Sequence, residues 1–130
     1  MKYAFCFLLG LAVFACDSSD NLTASSWGGL NGKWVETGTR TDTLTFQSTD
    51  AVKLVTLGRG MEFRNGHWAP KSGSGPYEYK LEGGKISLYW LLSSLYVFKE
   101  YNFRQEADVI VIDNFFNSPS GPTLTFERVK

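Results

Sequence analysis

Side chains that commonly carry catalysis are scarce in this chain. His67 is the only histidine, and a histidine-activated nucleophile needs a third group that orients the histidine. Ser72 and Ser74 are near in sequence, but they lie in a Gly- and Ser-rich stretch typical of a loop. Asp108 and Asp113 bracket a predicted strand without the spacing of metal ligands. We therefore predict no catalytic residues, no metal site and no cofactor.

Aromatic side chains are the stronger candidates, because they can bind a ligand without any reaction. Strand alternation puts Tyr77 and Tyr79 on one face and aligns Trp90 with Ile86 and Leu88. Two interpretations stay open: a narrow apolar pocket in which tyrosine hydroxyls orient a ligand, or a packed core without one. The candidate ligand-binding residues are Tyr77, Tyr79, Trp90, Tyr101, Phe103 and Trp68.

Trp68 lies in the longest stretch that reads as irregular, residues 64–76. Gly66, Gly73 and Gly75 give this stretch backbone freedom, whereas the indole offers a large apolar surface. We predict a mobile lid across the mouth of the fold; the alternative is an aromatic plug that completes the core.

The composition limits the class of protein. The 130 residues include 13 basic and 13 acidic side chains, enough for one domain and without the basic excess of a nucleic-acid binder. Hydrophobic residues make up 43% of the chain and aromatic residues 15%, which predicts a folded protein with a core.

The N-terminus has the pattern of a secretory signal. Residues 3–15 are almost wholly apolar and follow Lys2, and this run of 13 residues is shorter than the roughly 20 of a membrane-spanning helix. It ends in Val13-Phe14-Ala15-Cys16, which resembles the lipobox of bacterial lipoproteins. The resemblance implies cleavage before Cys16 and its acylation with chains such as palmitate. The alternative is an ordinary signal peptide that leaves Cys16 as a free thiol.

Cleavage at this point divides the chain into three parts. Residues 1–15 form the signal peptide, residues 16–29 a polar lipidated tether, and residues 30–130 the folded domain. The mature chain has 115 residues and a net charge of −1, and Cys6 is discarded, so no disulfide forms. Asp17 resembles an inner-membrane retention signal, but Cys-Asp-Ser-Ser-Asp also resembles the start of outer-membrane lipoproteins of the Bacteroidota. We favour the outer membrane.

The domain reads as a series of short strands separated by turn residues. The predicted strands are 30–37, 42–47, 51–57, 60–64, 77–81, 85–92, 96–104, 109–112 and 122–129, with 51–57 and 60–64 as two strands or one bent strand. Glu82-Gly83-Gly84-Lys85 is a hairpin turn, and no window has the apolar spacing of a long helix. We predict an all-β, up-and-down antiparallel barrel of about eight strands.

The first strand carries a further resemblance. Gly32-Lys33-Trp34 is similar to the Gly-x-Trp motif that opens the lipocalin barrel. In that family the Trp lies across the closed end of the barrel and an Arg from late in the chain packs on it. The resemblance implies that Arg128, which shares strand parity with Phe126, contacts Trp34.

These observations predict a small lipocalin-like lipoprotein that is not an enzyme. It would bind a small apolar or amphipathic ligand at the cell envelope, with its lipid in the membrane. The alternative is a protein-interaction module of the envelope, an inhibitor or accessory subunit with a filled barrel; glycan binding ranks third. A cavity of about 300 Å³ or more would favour ligand binding, and an exposed apolar loop patch would favour a protein partner.

Overall fold

The computed structural model describes residues 27–116 and 121–130. The predicted signal peptide, the lipidation site Cys16 and residues 16–26 of the predicted tether lie outside these ranges. Residues 27–29 of that tether already belong to a short 3-10 turn, Trp27–Leu30, that precedes the first strand. Within the described residues, no helix has both the length and the apolar character needed to cross a bilayer.

Eight strands form a closed antiparallel barrel, as predicted. In chain order the ten strands are β1 (Gly32–Glu36), β2 (Thr43–Ser48), β3 (Lys53–Gly58), β4 (Met61–Arg64), β5 (His67–Pro70), β6 (Gly75–Glu82), β7 (Lys85–Trp90), β8 (Lys99–Glu106), β9 (Val109–Ile112) and β10 (Leu124–Arg128). Each barrel strand pairs with the next along the chain, and β10 closes the sheet on β1. Strands β4 and β5 pair only with each other, outside the barrel.

The alternation of apolar and polar residues determines which side chains face inward. In β2, Leu44 and Phe46 are buried, and Phe46 lies opposite Val55 of β3. The buried core contains Leu30, Trp34, Leu44, Phe46, Val55, Leu57, Tyr77, Tyr79, Ile86, Leu88, Tyr101, Phe103, Ile110, Ile112, Phe115 and Phe126. Large side chains therefore fill most of the interior, as an eight-stranded barrel permits.

The prediction that residues 64–76 are irregular is wrong. The stretch contains β5, which pairs with β4 in a register that puts Phe63 opposite Trp68 and Arg64 opposite His67. Asn65 and Gly66 form the two-residue turn with φ of 53° and 83°, the backbone that an Asn-Gly hairpin turn requires. The Asn-Gly pair was a hairpin signal in the sequence. We call β4 and β5 the outer hairpin.

Other strand limits also differ from the prediction. Residues 51–57 and 60–64 contribute two separate strands, β3 and β4, and only β3 enters the barrel. The predicted strand 96–104 begins later, at Lys99, because residues 91–98 form a loop at the end of the barrel. We call residues 91–98 the mouth loop.

The two ends of the barrel are built differently. At one end, the closed end, the Trp27–Leu30 turn precedes β1, and the tight β6–β7 and β8–β9 turns lie beside it. At the other end, the mouth, lie the β1–β2 turn, the outer hairpin, the mouth loop and the β9–β10 connection. All the long connections therefore lie at the mouth.

Trp34 seals the closed end. It is fully buried, and its Nε1 donates a 2.8 Å hydrogen bond to the Leu30 carbonyl. The Arg128 guanidinium carbon lies 4.2 Å from the indole centroid, the contact that the lipocalin resemblance implies. Arg128 also donates to the Asn31 carbonyl at 2.7 Å and to Asp108 at 2.9 Å. Trp34 and Arg128 therefore cover the barrel core at this end.

Gly32 permits the close approach of Arg128 at this end. Its φ is 122°, a conformation that side-chain-bearing residues rarely adopt. A Cβ at this position would lie 3.3 Å from Arg128 Nη1. The glycine of the Gly-x-Trp motif therefore leaves room for the guanidinium above Trp34.

Glu36 stabilises the β1–β2 turn at the mouth. Burial alone raises the pKa of this carboxyl, but hydrogen bonds from Gly38, Thr39 and Arg40 outweigh burial and lower the pKa from its ordinary value of 4.5. The backbone N–H groups of Gly38 and Thr39 donate at 2.6 Å, and that of Arg40 at 3.1 Å. The carboxylate thus ties the turn together.

We expect Glu36→Gln to lower the free energy of unfolding at pH 7 by about 1–3 kcal/mol, because charge-assisted hydrogen bonds are lost. The pKa is lower in the folded state, so the stabilisation is full above the ordinary pKa and is lost as pH falls through the folded-state pKa. Urea titrations at pH 7 and pH 3 check this. The stability difference between the two pH values should shrink in Glu36→Gln and stay unchanged in the control Glu82→Gln, a solvent-exposed carboxyl at the closed end. An unchanged difference in Glu36→Gln would contradict it.

Candidate functional site

A pocket of about 580 Å³ lies at the mouth of the barrel. Its walls come from strands β6, β7 and β8, from the segments that flank the outer hairpin, from the mouth loop and from the β9–β10 connection. The lining residues are Arg59, Ser72, Gly73, Tyr77, Leu88, Trp90, Ser93, Leu95, Val97, Lys99, Tyr101 and Phe116. Barrel strands therefore provide a rigid wall, and loops provide the rest.

Four aromatic rings form the wall nearest the core. Tyr77 stacks with Trp90 at a centroid distance of 6.4 Å and meets Phe116 edge-on at 6.1 Å. Tyr101 lies 6.0 Å from Phe116. Phe115, beneath them, is 4.4 Å from Phe116 and 5.2 Å from Tyr101. Such packing fixes the rings and separates the pocket from the filled interior.

The pocket tyrosines stay neutral at physiological pH. Burial, with a smaller contribution from Tyr101, raises the pKa of Tyr77 to about 12, although Arg59 opposes this. Burial likewise raises the pKa of Tyr101. The Tyr77 hydroxyl donates a 2.7 Å hydrogen bond to the Gly73 carbonyl. Tyr77 thus holds the segment before β6 against the barrel wall.

Gly73 and Gly75 let the backbone approach these rings closely. Their φ values are 84° and 135°. A Cβ on Gly73 would lie 3.0 Å from a Phe116 ring carbon, and one on Gly75 would lie 3.1 Å from Trp90 Nε1. Two of the three glycines behind the lid prediction, Gly73 and Gly75, therefore fit the chain to the pocket wall.

Arg59 brings a positive charge to the pocket. Its guanidinium carbon lies 4.8 Å from the Phe116 centroid, and its Nη1 donates to the Ser72 carbonyl at 2.8 Å. Its Nε lies 3.6 Å from a carboxylate oxygen of Asp42. Lys99 also lines the pocket, and it precedes Tyr101 by two residues on the same strand face.

The structure separates the predicted ligand-binding residues into three groups. Tyr77, Trp90 and Tyr101 line the pocket. Tyr79 and Phe103 are buried in the core, where burial raises the pKa of Tyr79 and its hydroxyl hydrogen-bonds with Ser48. These two do not contribute to the pocket surface.

Trp68 forms the third group. It is 67% exposed on the outer hairpin, and its ring packs edge-on against Phe63 at 5.7 Å. The interpretation of Trp68 as a core plug is therefore wrong, because the hairpin that carries it lies outside the barrel. Trp68 is also absent from the pocket lining.

The other lining residues were not candidates from the sequence, and the three largest polar or aromatic side chains among them are Arg59, Lys99 and Phe116. The consecutive Phe115 and Phe116 differ in position. In the structure Phe115 is buried and Phe116 lines the pocket. Strand parity with Tyr101 was a signal for Lys99; Arg59, in a connection between strands, offered none.

Exposed apolar side chains surround this end of the barrel. They occur on the outer hairpin and in the mouth loop: Met61, Phe63, Trp68, Leu91, Leu92, Leu95, Tyr96 and Val97. In the described part of the chain, the other large exposed apolar residues are three valines near the closed end: Val52, Val109 and Val129. Apolar exposure is therefore concentrated at the mouth.

Neither a metal-binding cluster nor a comparison with known proteins assigns further residues to this site. Among residues 27–116 and 121–130, no three His, Cys, Asp or Glu side chains are grouped to hold a metal ion. The chain matches no protein-family model, no curated protein and no solved structure.

Proposed function

We propose that this protein is a lipocalin-like binding protein for a small apolar or amphipathic ligand, anchored in the cell envelope through Cys16 and without enzymatic activity. The observation that carries the proposal is the mouth pocket. Its volume of about 580 Å³ falls in the range of small-molecule sites, roughly 300–1,000 Å³. Its lining combines aromatic and aliphatic side chains with a few polar groups, the usual composition of such sites.

The position of the pocket supports reversible binding. Trp34 and Arg128 block the closed end, and the core side chains fill the barrel below the aromatic wall. A ligand therefore enters and leaves through the mouth, between the rigid strands and the mouth loop. Leu95 and Val97 of this loop line the pocket and are largely exposed, so a bound apolar group would remove them from water.

Binding of the neutral fluorescent probe N-phenyl-1-naphthylamine tests the proposal. The mature protein should raise the emission of the probe in a saturable titration. Val97→Asp places a charge in the lining and should weaken binding about fivefold or more, because apolar burial is lost. Val52→Asp is the matched control: Val52 is 47% exposed and Val97 58%, but Val52 lies near the closed end.

Equal affinity in the wild type and both variants would place the probe elsewhere and contradict the pocket as the site. No saturable emission with this probe or with dodecyl-chain ligands would reject ligand binding. Guanidinium titrations of both variants, compared with the wild type, show that each is folded.

Lipidation is a separate prediction. The apolar run and the Val-Phe-Ala-Cys sequence lead us to expect that Cys16→Ser abolishes acylation and leaves the protein soluble or uncleaved. Membrane fractionation and intact mass of the protein from its host measure this. The control Cys6→Ser, within the predicted signal peptide, should still yield the acylated form. A mature acylated Cys16→Ser product in the membrane fraction would contradict the assignment.

A second candidate function is a protein-interaction module, and the exposed apolar side chains of the outer hairpin favour it. Phe63 and Trp68 pack on each other and are both mostly exposed, although apolar rings gain from burial. Their contribution to the barrel core is small because β4 and β5 pair only with each other.

Trp68→Ala tests whether the outer hairpin contributes to ligand binding. We expect it to change the free energy of unfolding by no more than about 1.5 kcal/mol, since the ring is exposed and loses one aromatic contact. Probe affinity should stay at the wild-type value, because Trp68 does not line the pocket. Urea and probe titrations measure both quantities. A large loss of probe affinity would instead assign the hairpin a role in ligand access.

A further inference from the structure

Two hydrogen-bond donors in residues of the pocket wall lack an acceptor. Within the described ranges, two buried side-chain polar atoms have no hydrogen-bond partner: Arg59 Nε and Trp90 Nε1. Both are N–H donors, and both belong to residues that line the mouth pocket. Buried polar groups are nearly always paired in folded proteins, so two unpaired donors at one pocket point to an acceptor that a ligand brings.

The charges of the lining have the same sign. Arg59 and Lys99 are the charged lining residues, and no carboxylate is among the rest. Asp42, outside the lining, forms an ion pair with Arg59 at 3.6 Å from Nε, a distance longer than a hydrogen bond, and offsets the charge of Arg59. Lys99 makes no ion pair in the part of the chain that the structure describes. The pocket therefore carries an excess of positive charge beside an aromatic wall.

We propose that the ligand is an anionic amphiphile with a single alkyl chain, whose headgroup is a carboxylate or a phosphate monoester. This inference rests on the proposed function and specifies its ligand class. The alkyl chain packs on Trp90, Leu88 and Tyr101, while Lys99 and Arg59 donate to the headgroup. Neutral tyrosines add no negative charge that would repel it.

Four probes with the same alkyl chain test the headgroup: dodecanoate, dodecyl phosphate, dodecanol and dodecyltrimethylammonium. Isothermal titration calorimetry of the mature protein, below the micelle concentration of each probe, gives the affinities. We expect at least one anion to bind about tenfold or more tightly than the alcohol, and the cation to bind most weakly. A preference for one anion over the other distinguishes a carboxylate from a phosphate ligand.

Charge-removing variants locate the headgroup. Lys99→Met should reduce the ratio of anion to alcohol affinity about tenfold, and Lys99→Glu should reduce it further. Lys99 is exposed and unpaired among the described residues, so these variants should fold. Arg59→Met should act in the same direction, and its unfolding is measured in parallel because Arg59 also holds Ser72. Lys53→Met, at the closed end, is the matched control and should leave the ratio unchanged.

The outcomes separate this inference from the proposed function. Equal affinity for all four probes would overturn the anionic headgroup but not ligand binding. The same holds if Lys99→Met and a folded Arg59→Met leave the ratio of anion to alcohol affinity unchanged. Failure of every dodecyl probe and of N-phenyl-1-naphthylamine to bind would reject the proposed function itself. A ratio that falls equally in Lys53→Met would show a nonspecific effect of net charge and would also overturn the inference.

Discussion

Trp34→Ala should lower the free energy of unfolding by about 3–5 kcal/mol, the usual cost of removing a fully buried large aromatic side chain. The indole has no exposed surface, and its loss leaves a cavity at the closed end. The Arg128 guanidinium would lose the ring beneath it, and the Leu30 carbonyl would lose its 2.8 Å donor. Guanidinium titration followed by far-ultraviolet circular dichroism measures the change.

A double-mutant cycle tests the Trp34–Arg128 contact itself. The coupling between Trp34→Ala and Arg128→Met should be about 0.5 kcal/mol or more, as expected for a cation above an indole. Trp68→Ala is the matched tryptophan control, because its ring is exposed. Additive single changes at Trp34 and Arg128 would contradict a direct stabilising contact and would weaken the lipocalin resemblance, which depends on this pair.

Phe115→Ala should cost a similar 3–5 kcal/mol and should also change the pocket. Phe115 is 1% exposed and lies beneath the aromatic wall, 4.4 Å from Phe116 and 5.2 Å from Tyr101 between ring centroids. Its removal opens space behind the two rings that line the pocket. A short-chain ligand would then contact a mobile pocket wall, whereas a longer ligand could fill the new space. We therefore expect the short-chain ligand to lose more affinity than the longer one.

Unfolding titrations and calorimetry with decanoate and tetradecanoate measure the two effects. Phe63→Ala is the matched control, since Phe63 is mostly exposed on the outer hairpin, and it should change both quantities little. A Phe115→Ala variant as stable as the wild type would contradict the role of Phe115 as a packed core residue beneath the aromatic wall. If stability falls but the preference for chain length does not change, Phe115 supports the fold and does not shape the pocket.

Strand alternation was readable from the sequence because it needs only neighbouring residues. Leu44 and Phe46 point inward because side chains alternate along a strand, whatever the partner strand is. Turn signals and short spacing then predicted a meander of about eight strands that closes into a barrel, which the structure confirms. Arg128 was assigned to the interior by the same parity, and it lies over Trp34.

Residues 64–76 contain two competing local signals. The Asn65-Gly66 pair marks a hairpin, which the structure has, whereas the glycines favour a mobile lid. Trp68 looked like a plug or a lid because a large aromatic side chain usually finds a partner surface. Local pattern alone cannot say that β4 and β5 leave the barrel, since that depends on β3 pairing with β6.

Only the tertiary structure decided which inward-facing residues reach the pocket. Tyr77 and Tyr79 share a face and are both buried in the core, yet only Tyr77 also lines the pocket, because it lies two residues nearer the mouth along β6. Arg59 and Phe116 come from connections without a hydrophobic period. The antiparallel order of the strands puts both connections at the same end, and the closure of β10 on β1 brings them into contact. The sequence determined, through alternation, which side chains face the barrel interior. Their position along the barrel axis and their neighbours depend on pairing between strands that are distant in sequence.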